Sequence, residues 1–223
     1  MLREDSGQNL RDYLIAAAAK LIEQRGSAGL AVRDIAREAK VADGVLYNYF
    51  EDKEDLLAHA LLAHVGTVMA SSPVLLPPPG EGTLAENLRL FIDGGIARLL
   101  RVIPAFAGLL AQPKVLARFH AMVGGDAAFD PAAGDREDAG RGEEGGRGLP
   151  DLLTAYLRAE QRLGRVDAAA DVDAAASLIV GAIHGQILPR VLFNPSGSPI
   201  VTPPGLAARL AQTVLEGIAH KSR

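Results

Sequence analysis

Tyr47, Asn48 and Tyr49 stand in a row between two large apolar residues, Leu46 and Phe50. On a helix Leu46 and Phe50 lie one turn apart on a single face, which leaves Asp43, Gly44, Val45, Tyr47 and Asn48 largely outside it. Two phenols and an amide presented outward offer hydrogen bonds, so their chemistry is recognition. An aromatic helix edge packed in a core is the other reading, but Leu46 and Phe50 already fill the buried face. Residues for covalent chemistry are scarce elsewhere. The 223 residues contain no cysteine, which removes thiolate nucleophiles, disulfides and Cys-based metal sites. The chain has no Gly-x-Ser-x-Gly elbow, no His-Glu-x-x-His pair and no phosphate-cradling glycine loop. His59 and His64 are five apart, a spacing that does not bring them to one helix face for a metal. No catalytic residue, metal or cofactor is expected, and the chain does not read as an enzyme.

The outward row needs neighbours to hold it. Leu10, Leu14, Ala17 and Leu21 form one apolar stripe of a first helix, which Gly26 and Gly29 end. Val32, Ile35, Ala36 and Ala39 predict a short second helix, followed by a turn at Lys40, Val41 and Ala42. A third helix is expected over 43–50. Glu51, Asp52 and Lys53 open a fourth, with acids in the first turn where the helix dipole favours them; it runs through Leu56, Leu57, Ala60, Leu61, His64 and Val68. Three short helices, a tight turn and a fourth helix are what a helix-turn-helix domain needs. Its second helix props the third, and the third fits a DNA major groove, which is wide enough for one helix.

The spacing is also familiar. Ala17-Ala18, Leu21-Ile22 and Gly26 are followed by the run Val32-Arg33-Asp34-Ile35-Ala36-Arg37-Glu38-Ala39. Then come Val41, the run Gly44-Val45-Leu46-Tyr47-Asn48-Tyr49-Phe50, Lys53 and Leu56-Leu57. Together these closely resemble the TetR family of bacterial transcriptional regulators over residues 11–62. The resemblance implies DNA-binding roles for Arg33, Ala42, Asp43, Gly44, Val45, Tyr47, Asn48, Tyr49 and Lys53. Gly44 lets the reading helix approach the bases, and Asp43, Gly44 and Val45 sit where base edges are read. Tyr47, Asn48 and Tyr49 would contact phosphate and sugar. Lys53 would meet a phosphate at a helix N-terminus, and Arg33 is a further backbone or base ligand. Four positions depart from the family pattern. Ala31 stands where a threonine cap is usual, Lys40 replaces a turn glycine, Ala42 replaces a serine or threonine, and Asp43 brings a negative charge to a base-reading position.

An all-α chain is expected, with an N-terminal helix-turn-helix domain at 1–62 and a helical ligand-binding and dimerisation domain at 63–223. Residues 71–82, with four prolines, break the chain between helices. Thr83 and Glu86 can form a capping box for the next helix, which Pro104 is expected to interrupt. A further segment over 105–123 breaks near Pro113. Residues 124–148 hold eight glycines, seven acids and three arginines, with Phe129 the only large apolar side chain; such a stretch is expected to be a disordered loop. Helices resume over 149–163 and 170–193, and the last spans 205–220. The resemblance implies that the last two helices pair with their two-fold mates in a homodimer. Leu178, Ile179, Ala182, Ile183, Ile187 and Leu188, then Leu206, Leu210, Val214 and Ile218, supply the apolar surface. Gly181 and Gly185 would allow close helix approach or leave room for a ligand. A small apolar or amphipathic effector is expected to meet apolar walls at Phe91, Gly95, Phe106, Phe119, Met122 and Tyr156, with polar anchors at His184, Gln186 and Arg190.

The formal net charge of -4 excludes a protein that coats nucleic acid indiscriminately, and residues 1–60 carry 8 Lys and Arg against 11 Asp and Glu. A specific binder then needs its few cations on one face. No apolar run reaches the roughly 18 residues of a membrane span, so a soluble cytoplasmic protein without a membrane partner is expected. The function implied is a repressor released from operator DNA by a small molecule. One alternative is a regulator without such an inducer, acting constitutively or through a protein partner. The other is an all-α enzyme.

Overall fold

The computed structural model describes residues 2–26, 29–124, 148–194 and 199–218, by backbone alone at 2–8 and 217–218. Its described residues form α1 (Leu2–Arg25), α2 (Val32–Glu38), a 3₁₀ helix (Asp43–Asn48), α3 (Lys53–Ser71), α4 (Leu84–Ala107), α5 (Pro113–Met122), α6 (Leu149–Arg162), α7 (Val172–Leu192) and α8 (Leu206–Ile218). The fold is all-α. It divides into two compact units, Met1–Ser71 with Arg101–Ala133, and Ser72–Leu100 with Gly134–Arg223. The first unit therefore does not stop at residue 62: it contains all of α3, the end of α4, and α5.

The first unit has one core. Leu14, Ala18, Leu21 and Ile22 of α1 bury against Ile35 and Ala36 of α2, against Leu46 and Phe50, and against Leu57 and Leu61 of α3. Leu109, Val115 and Phe119 join the same cluster, which explains why α5 folds with elements far upstream of it. Burying these side chains contributes about 1.5–3 kcal/mol each, far more than local propensity can supply.

The turn after α2 is a Schellman motif. The Lys40 N–H donates to Arg37 O at 3.2 Å and the Val41 N–H to Ala36 O at 3.0 Å, satisfying two carbonyls that the helix end would leave open. Lys40 is left-handed, with φ 55°, and pays the strain that a glycine there would avoid. Lys40→Gly is expected to stabilise the protein by about 0.5–1 kcal/mol, the relief being partly offset by the greater freedom of glycine in the unfolded chain. Urea unfolding followed by circular dichroism measures this, and a midpoint shifted downward would contradict it.

Two expectations are corrected, and the break expected near Pro113 is found. The third helix is a 3₁₀ helix six residues long, closed by i→i+3 bonds from Val45 N–H to Ala42 O at 2.9 Å and from Tyr49 N–H to Leu46 O at 3.0 Å. Gly44 disfavours the α form, and Ala42 offers no side-chain cap. Pro104 does not interrupt α4, which continues to Ala107. It stands near the helix end, where only one backbone hydrogen bond is lost, and Ile103 and Ala105 on either side are buried. Pro113 opens α5 at its first position, where a missing N–H is harmless.

In the second unit, Leu88, Phe91 and Ile92 of α4, Leu153 and Leu157 of α6, and Ile179, Ile183 and Ile187 of α7 are all buried. Thr83 Oγ1 accepts the Glu86 N–H at 3.2 Å, and Asp171 caps α7 through the Ala174 N–H at 2.9 Å. Residues 125–147, the core of the expected loop, lie outside the described residues. Among those described, α7 is the one helix long and apolar enough to cross a membrane by length and composition. Its apolar residues surround the whole helix. One face is in the protomer core, so Ile179, Ile183, Ile187 and also Leu206 of α8 are not free for a partner. The opposite face exposes Leu178 at 69%, Leu188 at 42% and Leu192 at 44%, with Gly181 and Gly185 exposed between them.

Candidate nucleic-acid interface

α2, the 3₁₀ helix with its flanking residues Ala42 and Tyr49, and the first residue of α3 carry the nine candidate DNA contacts on the first unit. Arg33, Ala42, Asp43, Gly44, Tyr47 and Asn48 are exposed, Tyr47 at 61%, while Val45, Tyr49 and Lys53 are half-buried. Tyr49 packs against the core, so only its outer edge is available. With Leu46 and Phe50 anchored in the core on either side, Tyr47 and Asn48 are left facing outward. A Cβ built at Gly44 meets no atom within 4 Å, so this glycine leaves an open approach to the backbone.

Ala31 begins α2 without a side-chain cap. One arm of a capping box remains, because the Ala31 N–H donates to Asp34 Oδ2 at 3.1 Å. That bond, reinforced by Arg37 on Asp34 Oδ1 at 2.8 Å, holds the Asp34 carboxyl below its ordinary pKa. Glu38 is likewise held low by Lys20, 2.6 Å away. Asp52 caps α3, accepting the Asp55 N–H at 2.8 Å, and also meets Arg118 of α5 on both carboxylate oxygens, at 2.5 and 2.9 Å. The Asp55 N–H first, and Arg118 after it, keep the Asp52 pKa low.

These pairings answer the objection raised by the acidic balance of this region. Asp34, Glu38 and Asp52 each face a cation within the fold. Arg33, Lys40 and Lys53 make no side-chain hydrogen bond or ion pair among the described residues, and they flank the outward row in sequence. Cations not locked into an internal ion pair remain available to phosphate.

Arg11 braces the same region, donating to His59 Nε2 at 2.7 Å while its guanidinium lies 5.1 Å from the centre of the Phe50 ring. His64 is buried and donates from Nε2 to Arg101 O at 3.0 Å. Both histidines thus serve packing. Sequence reasoning missed Arg118, because its partner is 66 residues away and no local spacing announces the pair.

The nine effector candidates fall into three places. Phe91, Gly95 and Tyr156 are buried in the second unit, where a Cβ at Gly95 would approach Ile183 Cδ1 to 3.2 Å. Asn87 donates to the Tyr156 hydroxyl at 2.7 Å, and burial, with Glu160 as a further cause, pushes the Tyr156 pKa up to about 12. Phe106 and Phe119 stack edge to face at 5.1 Å in the first unit, with Met122 beside them. The structure therefore does not bring these three to Phe91 and Tyr156. His184 lies exposed on α7, with Nδ1 bonded to Val180 O at 2.8 Å, and Arg190 donates to Gln186 Oε1 at 2.9 Å.

Comparison with known proteins agrees with this geometry. Residues 14–60 match the family described as bacterial regulatory proteins, tetR family. The HTH-type transcriptional regulator HbdR of Aromatoleum sp. (strain CIB) is 47% identical over 47 residues, a match spanning 21% of this chain and 20% of that one. Among solved structures, the fatty acid degradation regulator FadR of Bacillus halodurans has 20% identity and a TM-score of 0.57, covering 95% of this chain and 97% of that one. FadR of Bacillus subtilis, solved with stearoyl-CoA, has 21% identity and a TM-score of 0.53, covering 92% and 95%. At such identities the structural likeness establishes the fold.

Proposed function

We propose that this chain, whose residues 14–60 match the tetR family of bacterial regulatory proteins, is a cytoplasmic transcriptional repressor that binds operator DNA as a homodimer and is released by a small molecule. The outward row of Gly44, Tyr47 and Asn48 on a rigid apolar base carries the DNA-binding reading. It places hydrogen-bond donors and an open backbone where a duplex can be reached, next to cations that form no internal ion pair. The dimer reading rests on α7. Leu178, Gly181, Gly185, Leu188 and Leu192 form a stripe at helical spacing on its exposed face, and small residues between leucines suit a closely approaching partner helix. A two-fold dimer would hold two reading segments about one DNA turn apart, roughly 34–36 Å.

The effector reading centres on the second unit. Phe91, Gly95 and Tyr156 supply apolar walls, and Asn87 and Glu160 supply buried polar groups beside them. A fold shared with a regulator solved with stearoyl-CoA favours an amphipathic ligand. Release follows from linkage: a ligand that prefers the conformation unfit for DNA lowers operator affinity by the ratio of its affinities for the two states.

Selection of duplexes from a random pool, followed by binding titrations, tests the DNA reading. Tyr47→Ala is expected to weaken every duplex by about tenfold, the scale of a lost phosphate contact. Val45 substitutions are expected to change which bases are preferred. Failure of the wild-type chain to enrich any duplex over random competitor would overturn the proposal.

A further inference from the structure

We propose that Arg118 is a positioning residue for the operator contact: from α5 it grips Asp52 on both carboxylate oxygens and so sets the α3 N-terminus and the Lys53 side chain against the DNA backbone. The inference rests on the DNA-binding reading above and goes beyond the helix-turn-helix segment, since Arg118 lies more than fifty residues past it.

Four observations converge. Arg118 donates through Nη1 and Nη2 to Asp52 Oδ1 and Oδ2 at 2.5 and 2.9 Å, and Nη2 also reaches Glu51 Oε2 at 3.4 Å. This is the fork geometry in which a planar guanidinium fixes direction as well as distance. Asp52 simultaneously accepts the Asp55 N–H, so the group that Arg118 holds is also the cap of α3. Asp52 stands between Phe50, where the reading segment is anchored in the core, and Lys53, the phosphate candidate. Finally, α5 is itself seated in the first unit's core through Val115 and Phe119, so Arg118 acts from a fixed base. A lone carboxylate at the α3 cap would set a negative charge beside the approaching phosphates. With Arg118 paired to it, that charge is answered and the cap keeps its direction.

The test uses the full chain and the duplex that the wild-type protein selects. Asp52→Asn keeps a competent helix cap, because asparagine caps as well as aspartate, but removes the charge that Arg118 holds; Arg118→Gln removes the other half. Each is expected to lower affinity for the selected duplex about tenfold, with thermal unfolding little changed. The double variant is expected to lose no more than either single one. Arg118→Lys, which can hold only one oxygen at a time, is expected to fall between wild type and Arg118→Gln. The slope of affinity against salt is expected to stay at the wild-type value, because Arg118 itself touches no phosphate. Additive losses, unchanged affinity, or a salt slope reduced by about one charge in Arg118→Gln would each overturn the inference; the last would make Arg118 a direct phosphate ligand. If Arg118→Gln does not fold, Asp52→Asn alone decides. A wild-type chain that selects no duplex would instead defeat the underlying DNA reading.

Discussion

Gly44→Leu is expected to abolish specific DNA binding, by about 100-fold or more, while leaving the thermal unfolding midpoint where it is. The two halves of that outcome have separate causes. A Cβ at Gly44 meets nothing within 4 Å, and the residue has an ordinary negative φ. The fold therefore gains no clash and no backbone strain, and leucine has the better helix propensity. In the proposed complex, however, the open space above Gly44 is where base edges approach. An isobutyl group there would lift the reading segment out of the groove and leave mainly the sequence-independent phosphate attraction, which is typically at least 10³-fold weaker than specific binding. Fluorescence anisotropy with the selected duplex, set beside calorimetry of the free protein, checks both halves. Unchanged affinity would show that this face does not enter the groove.

Replacing Leu178 and Leu188 together by arginine is expected to give a helical monomer that has lost operator binding by at least about 100-fold. Both leucines are exposed in the protomer, at 69% and 42%, so the exchange leaves the core of α4, α6 and α7 intact. In a two-fold interface the same positions recur on the partner, so four charges would be forced into one apolar seam, where each unpaired charge loses its hydration. The DNA consequence follows from avidity. Once one half of the dimer is bound, the second reading segment acts at an effective concentration that multiplies affinity by about 10²–10⁴, and a monomer forfeits that factor. Light scattering after gel filtration reads the mass, and circular dichroism confirms that helix content survives. A variant that remained dimeric would move the interface away from this face of α7.

Much of the first unit was legible from residue order because its information is local. The stripe from Leu14 to Leu21, the pair Ile35 and Ala36, and the bracket of Leu46 and Phe50 around outward polar residues follow from helical periodicity within a few residues, and all of them bury as that periodicity demands. The departures at Ala31 and Lys40 were readable for the same reason. A missing hydroxyl and a missing glycine act on the backbone beside them, and the structure shows an uncapped α2 start and a left-handed Lys40.

Only tertiary packing decided the rest. Aromatic residues that look alike in sequence went to different cores: Phe91 and Tyr156 to the second unit, Phe106 and Phe119 to the first. Hydrophobic burial is non-directional, so composition marks a side chain as internal without saying which interior receives it. The pairing of Arg118 with Asp52, the seating of α5 beneath the reading segment, and the choice of which α7 leucines stay outside depend on helices meeting across long stretches of chain. Spacing along the chain determined each helix and its apolar face; which faces met was settled by shape and charge in three dimensions.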